Sequence, residues 1–290
     1  MNLNNDLKGK IVAAMMERRK NFEGSDSRFS VTLGISASQY SRITNGDTDK
    51  VLSDANWISI ARKLDVQLRD IPEWKVANTP VYDFISVQLK MCQEKGMSLL
   101  LCDIADIGKT FTARDYCKRA PNAVYVDCSQ VKSKHKLVRY IAKEFGAGHT
   151  GTYSDVYADL VFYLRSLPQP LVILDEAGDL DANAFLELKA LWNATENCCG
   201  WYMMGADGLK EKIVRSINFK KVGYTELYSR YGGKFQKVSP DNSQDNENFK
   251  MATVAIVAKV NMRDGDNLKE IIAKSNGSLR RLYQLLNTAS

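Results

Sequence analysis

The 290-residue sequence has only two histidines, His135 and His149, only six prolines, and no apolar run of membrane-spanning length. A helix crossing a bilayer needs about 20 apolar residues, so no membrane association is expected. The segment Met1 to Asp6 has neither a basic flank nor an apolar core. It does not read as a secretory signal, and a cytoplasmic protein is expected. Six cysteines stand at 92, 102, 117, 128, 198 and 199, none of them in a C-x-x-C pair, and the histidines stand apart from them. A structural zinc site needs closely spaced ligand pairs. None is expected, and the thiols read as buried and free in a reducing compartment.

What is present is an ordinary globular composition, 44% hydrophobic and 26% charged, with length for one large core and a smaller domain. The charge is unevenly placed. From Asp207 to Arg281, 15 lysines and arginines face 9 acids, an excess equal to the whole-chain net charge of +6. A basic C-terminal part is compatible with a polyanionic partner.

Residues 1–70 read as a small all-helical unit. Leu7, Ile11 and Met15 recur at helical spacing, and Trp57, Ile60, Ala61 and Leu64 share one face of a last helix. Between them, Ser36 followed three residues later by Gln39 forms a capping-box signature for a helix from Ala37 to Thr44. Asn45-Gly46 is suited to end it, since both residues tolerate left-handed backbone. The stretch Leu33 to Gly46 resembles the helix-turn-helix of phage-repressor (Cro-type) domains. That resemblance places Gln39 and Arg42 on the exposed face of a recognition helix, in reach of bases or phosphates. A helical bundle for protein contacts is the alternative, and the near-neutral charge of this unit is consistent with it.

Residues 71–80, with Pro72 and Pro80 bracketing a polar stretch, read as a linker. Over 81–238, apolar runs at 97–102, 123–126, 171–174 and 201–204 alternate with helical patterns. This is an α/β arrangement, a parallel sheet covered by helices on both faces. The polar stretch Ser239 to Asn248 reads as a loop opening a helical C-terminal part, 239–290, in which Gly277-Ser278 separates the last two helices.

Ile107-Gly108-Lys109-Thr110 follows a buried strand and precedes a helix beginning near Phe111. A phosphate loop needs that order. Backbone N–H groups and a helix N-terminus face the phosphates, the lysine reaches the β- and γ-phosphates, and the threonine hydroxyl meets Mg²⁺. The full pattern runs through Asp103, Ile104, Ala105, Asp106, Ile107, Gly108, Lys109 and Thr110, with aspartates at 103 and 106 where glycines are usual. Downstream, Leu171 to Leu174 is an apolar strand ending in Asp175-Glu176, the pattern of a Walker B strand. Asp175 is the candidate Mg²⁺ ligand and Glu176 the candidate polariser of the attacking water. A buried strand with a solvated acidic turn is the alternative for this second motif alone.

Together these motifs resemble the P-loop AAA+ ATPases, and more narrowly the transposition ATPases related to the phage Mu B protein. The matching segments also include Met204 to Asp207, Leu227-Tyr228-Ser229-Arg230 and Gly277 to Arg281. The resemblance implies an AAA+ core with a small helical lid and an N-terminal helix-turn-helix, binding ATP and Mg²⁺. It implies an arginine finger acting in trans at Arg230 and a γ-phosphate sensor at Arg280. Asp207 stands where a neutral polar sensor is usual. Implied partners are duplex DNA, further copies of the chain in a ring or helical filament, and a transposase. A helicase loader or replication initiator shares the same site and stays open. So does a nucleotide-gated interaction module without DNA binding.

Overall fold

The computed structural model describes residues 5–64, 66 and 74–288. Four helices come first: α1 (Asn5–Lys20), α2 (Asp26–Leu33), α3 (Ala37–Thr44) and α4 (Asp54–Lys63). They close around Ile11, Met15, Phe29, Tyr40, Ile43 and Trp57. Ser25, Ser36 and Ser53 each accept a backbone N–H three residues on, which satisfies an otherwise orphaned donor at the start of α2, α3 and α4. Gly34, at φ 78°, turns α2 into α3. At the end of α3 only Gly46 is left-handed (φ 91°), while Asn45 keeps an ordinary φ of −85°.

This unit rests on the rest of the chain. The Arg18 guanidinium donates to the carbonyl of Cys117 and, at 3.2 Å, to that of Ala123. Asn21 donates to the Lys118 carbonyl at 2.8 Å, and Arg28 lies 4.5 Å over the Tyr163 ring. Burial at this junction pushes the Glu144 carboxyl above its ordinary value, with Arg18, Lys63 and Lys143 opposing the shift.

The core follows as α5 (Pro80–Lys95), β1 (Ser98–Cys102), α6 (Lys109–Arg119), β2 (Ala123–Asp127), α7 (Lys134–Glu144), α8 (Tyr153–Ser166), β3 (Leu171–Asp175), α9 (Ala182–Ala194), β4 (Gly200–Gly205), α10 (Asp207–Asn218), α11 (Tyr224–Arg230) and β5 (Phe235–Gln236). The strands form one parallel sheet in the order β2-β3-β4-β1-β5. Alternate side chains enter opposite cores. Val124, Val172, Leu174, Trp201 and Met203 pack on one face, and Leu171, Ile173, Tyr202 and Met204 on the other. Burial on both faces is why these strands read as continuous apolar runs. The short edge strand β5 has no such run, and its two residues carry no sequence signal.

The C-terminal part is α12 (Ser243–Asn261), α13 (Leu268–Ser275) and α14 (Leu279–Thr288). The expected loop at 239–248 is in part the first turns of α12, capped by Asn242. Capping residues and loop residues are the same chemical types, so composition alone does not separate them. The expected linker also differs. Residues 71–73 lie outside the described residues, but Lys75 exchanges two backbone hydrogen bonds with the Asn261 side chain at 2.7 and 3.1 Å. Trp74 meets Tyr283 edge-on at 5.1 Å, and Ala77 packs with Val254 and Leu282. Pro80 already belongs to α5, at its first turn and capped by Thr79. Among the described residues no helix is long and apolar enough to cross a membrane.

Gly200 opens β4 where the sheet touches α5, and a Cβ there would press on the Cys92 carbonyl, with its carbon at 2.7 Å. Backbone cannot yield as a flexible side chain does. Gly200→Ala is expected to destabilise the core by about 1–3 kcal/mol, read as a lowered thermal unfolding midpoint.

Candidate active site

β1 and β3 lie on either side of β4, and their carboxyl ends carry the two motifs. Gly108, left-handed at φ 98°, ends the turn after β1 and hands the chain to α6, whose first residues are Lys109 and Thr110. The helix thus starts two residues earlier than expected. Its first N–H groups face the mouth of the loop, the arrangement that favours an anion. The Lys109 ammonium donates to the carbonyls of Asp103 at 2.8 Å and Ile104 at 2.6 Å. Burial pushes it below its ordinary value, and the carboxylates of Asp103, Asp175, Glu176 and Asp207 oppose that. Ala105 and Phe111 are exposed beside it, while Ile107 is buried and anchors the loop.

The two motifs meet directly. The Thr110 hydroxyl donates to Asp175 Oδ2 at 2.7 Å. Asp175 is 1% exposed, and its other oxygen accepts the Glu176 N–H at 2.9 Å. A hydroxyl and a carboxylate converging in this way fit Mg²⁺, which takes one or two protein ligands and otherwise keeps water. Among the described residues no group of three or more His, Cys, Asp or Glu forms a dedicated metal cage. Glu176 sits at the exposed end of the strand with φ 49°, a strained setting for a non-glycine residue of the kind that recurs at functional sites. Burial and then Asp175 push its carboxyl above the ordinary value.

Three contacts at the site span separations that no local sequence pattern signals. The Tyr125 hydroxyl donates to Asp175 Oδ2 at 2.8 Å, with Arg114 5.0 Å over its ring. Tyr125 lies on β2, which pairs with β3, and only strand register reveals the contact. Ser239 and Ser278 bond the aspartates of the phosphate loop. Asp103 is wholly buried and accepts from the N–H groups of Ile104 at 2.8 Å, Val238 at 2.6 Å and Ser239 at 3.0 Å, and from the Ser239 hydroxyl. Asp106, left-handed at φ 64°, accepts from the Ser278 hydroxyl at 2.6 Å and the Arg280 N–H at 3.2 Å. Both carboxylates are therefore satisfied by donors from the C-terminal part of the chain, Asp103 from the segment before α12 and Asp106 from the start of α14.

The remaining candidates are dispersed. Arg280 Nε is 3.9 Å from Asp106 and its side chain is 80% exposed, free to extend over the loop. Asp207 is exposed at the first residue of α10, directly after β4. Arg230 bonds Asn193 Oδ1 at 2.7 Å and the Glu226 carbonyl at 2.9 Å, with its guanidinium 5.3 Å over Trp192. It is not brought to Lys109 or Asp175 within this chain. Gln39 differs most from expectation. It is half-buried, its Oε1 accepts the Ser36 N–H at 3.0 Å and its Nε2 reaches the Val51 carbonyl at 3.4 Å. The capping box that predicts the helix consumes the side chain expected to read DNA. Arg42 is exposed but bonds Asp47 at 2.6 and 2.8 Å.

Residues 93–213 match a family model described as AAA domain. Among solved structures the chain resembles the Aeropyrum pernix ORC1 protein in complex with DNA, with a TM-score of 0.52 and 18% identity over 77% of this chain and 62% of that one. It also resembles Cdc6p from Pyrobaculum aerophilum, with a TM-score of 0.51 and 16% identity over 73% of this chain and 59% of that one. The chain thus spans about three-fifths of either structure. No curated protein matches it. The fold is the P-loop AAA+ fold.

Tyr125→Phe removes one of the two hydroxyls on Asp175 Oδ2 while keeping the ring. Loss of such an orienting partner typically costs about tenfold or more in metal affinity or activity. A Mg²⁺ titration of nucleotide turnover is expected to shift to higher Mg²⁺ by about that factor, with the unfolding midpoint little changed.

Proposed function

We propose that the chain is an ATP-driven, self-assembling DNA-binding ATPase of the initiator or loader kind. The carrying observation is the 2.7 Å bond that joins Thr110 of the phosphate loop to Asp175 at the end of β3, beside buried Lys109. Lys109 and the N-terminus of α6 bind the phosphates, and Thr110 and Asp175 would hold Mg²⁺, which would supply positive charge against the transferred phosphoryl group. Glu176 orients the attacking water. Arg230 serves a neighbouring subunit's site, since a cation brought from outside stabilises the transition-state charge. Its stacking on Trp192 and bond to Asn193 hold it on the outer side of α9 until assembly.

DNA enters as the partner because of the basic stretch after Asp207 and the resemblance of the Leu33 to Gly46 stretch to a repressor helix-turn-helix. The initiator or loader reading is preferred to transposition because the two similar solved structures are an ORC1 bound to DNA and a Cdc6p. A transposase partner has no observation of its own. The helix-turn-helix supplies at most auxiliary contacts, because Gln39 is engaged within its own helix and Arg42 must exchange Asp47 for a phosphate.

Two measurements test this function. Lys109→Ala is expected to abolish ATP binding, because no neighbour replaces its point charge. Glu176→Gln is expected to keep binding while slowing turnover at least a hundredfold, roughly the contribution of a positioned proton acceptor. Equal turnover by Glu176→Gln and wild type would exclude Glu176 as the group that orients the attacking water.

Affinity for duplex DNA is expected to depend on ATP and little on sequence. A single protomer's phosphate contacts give weak binding, on the order of 10⁻⁴ to 10⁻⁶ M. ATP-driven assembly multiplies them. Salt titrations on two unrelated duplexes, with ATP, with ADP and without nucleotide, check this. Comparable affinity in all three states contradicts gating, and strong preference for one duplex points to a repressor-like operator binder.

A further inference from the structure

The phosphate loop carries two carboxylates where a triphosphate would be repelled, and every one of their four oxygens has a donor. Apart from the Ile104 N–H, the donors lie after β5. Val238 and Ser239 hold Asp103, and Ser278 and Arg280 hold Asp106. The donors come from the two ends of the C-terminal helical part, its entry before α12 and the start of α14. Ser278 has a double role. Its hydroxyl oxygen accepts the Arg281 N–H at 3.1 Å, capping α14, while its proton goes to Asp106 at 2.6 Å. Asp106 therefore lies at the positive end of α14, where a carboxylate is favoured. Leu279 closes the contact, lying 3.8 Å from where a Cβ on Gly108 would be.

We propose that Asp106 makes nucleotide retention conditional on the docking of α14, with Ser278 as the positioning residue. This rests on the ATP-binding reading above. With α14 docked, Ser278 and the Arg280 N–H hold the carboxylate and take up its charge, and Arg280 is held beside the phosphate loop. With α14 displaced, Asp106 loses both donors and presents an uncompensated negative charge to the polyphosphate. Nucleotide binding and α14 docking then favour each other, and by linkage the coupling is reciprocal. Asp103 anchors the entry to α12 in the same way and keeps its own charge buried and satisfied. Glycines at 103 and 106 would leave the loop indifferent to the position of these helices.

The test is a mutant cycle on the full chain, with Mg²⁺-ATP binding followed by calorimetry. Ser278→Ala is expected to weaken binding about tenfold, within the usual range of coupling between sites. Asp106→Asn keeps a residue that tolerates left-handed backbone and removes the charge, so it is expected to bind at least as tightly as wild type. In the Asp106→Asn background, Ser278→Ala is expected to change affinity less than twofold. Ser278→Asp retains a capping side chain but sets a carboxylate against Asp106. It is expected to weaken binding more than Ser278→Ala in wild type and to be largely rescued by Asp106→Asn. If Ser278 serves only as a cap, its loss weakens binding equally in both backgrounds, and that result overturns the proposal. An unchanged affinity for Ser278→Ala in wild type does so as well. A wild-type chain that fails to bind Mg²⁺-ATP overturns the ATP reading and this inference together. Binding by wild type with additive effects overturns the inference alone.

Discussion

The bond from Thr110 to Asp175 depends on the order of the sheet. Thr110 belongs to the helix that follows β1, and Asp175 ends β3, so the two are separated by 65 positions in the chain and by β4 in the sheet. Only parallel strands with their carboxyl ends at one edge bring a phosphate loop and an acidic strand end together. That requires strands buried on both faces, which in turn requires helices on both sides. The two hydrophobic clusters on either side of β3 and β4 are thus what sets the distance between a helix-start hydroxyl and a buried carboxylate. Tyr125 strengthens the same point from the neighbouring strand, through a bond that exists because β2 and β3 are in register.

A second constraint is the satisfaction of charge away from water. Asp103 is wholly buried, and a buried carboxylate without donors is strongly destabilising. Its bonds to Val238 and Ser239 tie the phosphate loop to the chain leaving β5. On the far side, Lys75 and Trp74 bind the same C-terminal helices through Asn261 and Tyr283. The C-terminal helices are therefore held from two directions, by the phosphate loop and by the segment that leads into α5. A displacement of those helices is felt at both places.

Much of this was legible in the sequence because it is local. Gly108-Lys109-Thr110, the apolar run into Asp175-Glu176, the four longer strands and the capping box at Ser36 and Gln39 are all short patterns within one segment of chain. The unread contacts are long-range. Ser239 meets Asp103 across 136 positions, Ser278 meets Asp106 across 172, and Lys75 meets Asn261 across 186. No spacing rule covers such separations. Gln39 shows a different limit. One residue satisfied two patterns, a helix cap and a base-reading position, and the cap bond formed within the helix while its Nε2 turned to Val51. The loop expected over 239–248 is helical from Ser243 for a related reason, since capping side chains and loop side chains share their chemistry.

The position of Arg230 follows from the same accounting of polar groups. A guanidinium has five donors and no acceptor, and this one meets Asn193, the Glu226 carbonyl and the face of Trp192. These contacts are on α9 and α11, and Arg230 remains half-exposed. A finger that reaches a neighbouring subunit gives up neutral partners for a charged phosphate, an exchange that favours the charge-assisted bond. Stacking on Trp192 restricts the side chain before that exchange, so less rotamer freedom is lost when it occurs. Assembly and catalysis would then share one residue. On the proposed reading, subunit contact would present Arg230 to the phosphates, and the phosphates would in turn hold the contact together. In such an arrangement loss of the γ-phosphate on hydrolysis weakens the interface that accelerated it, which is the physical basis for an assembly that forms with ATP and comes apart afterwards.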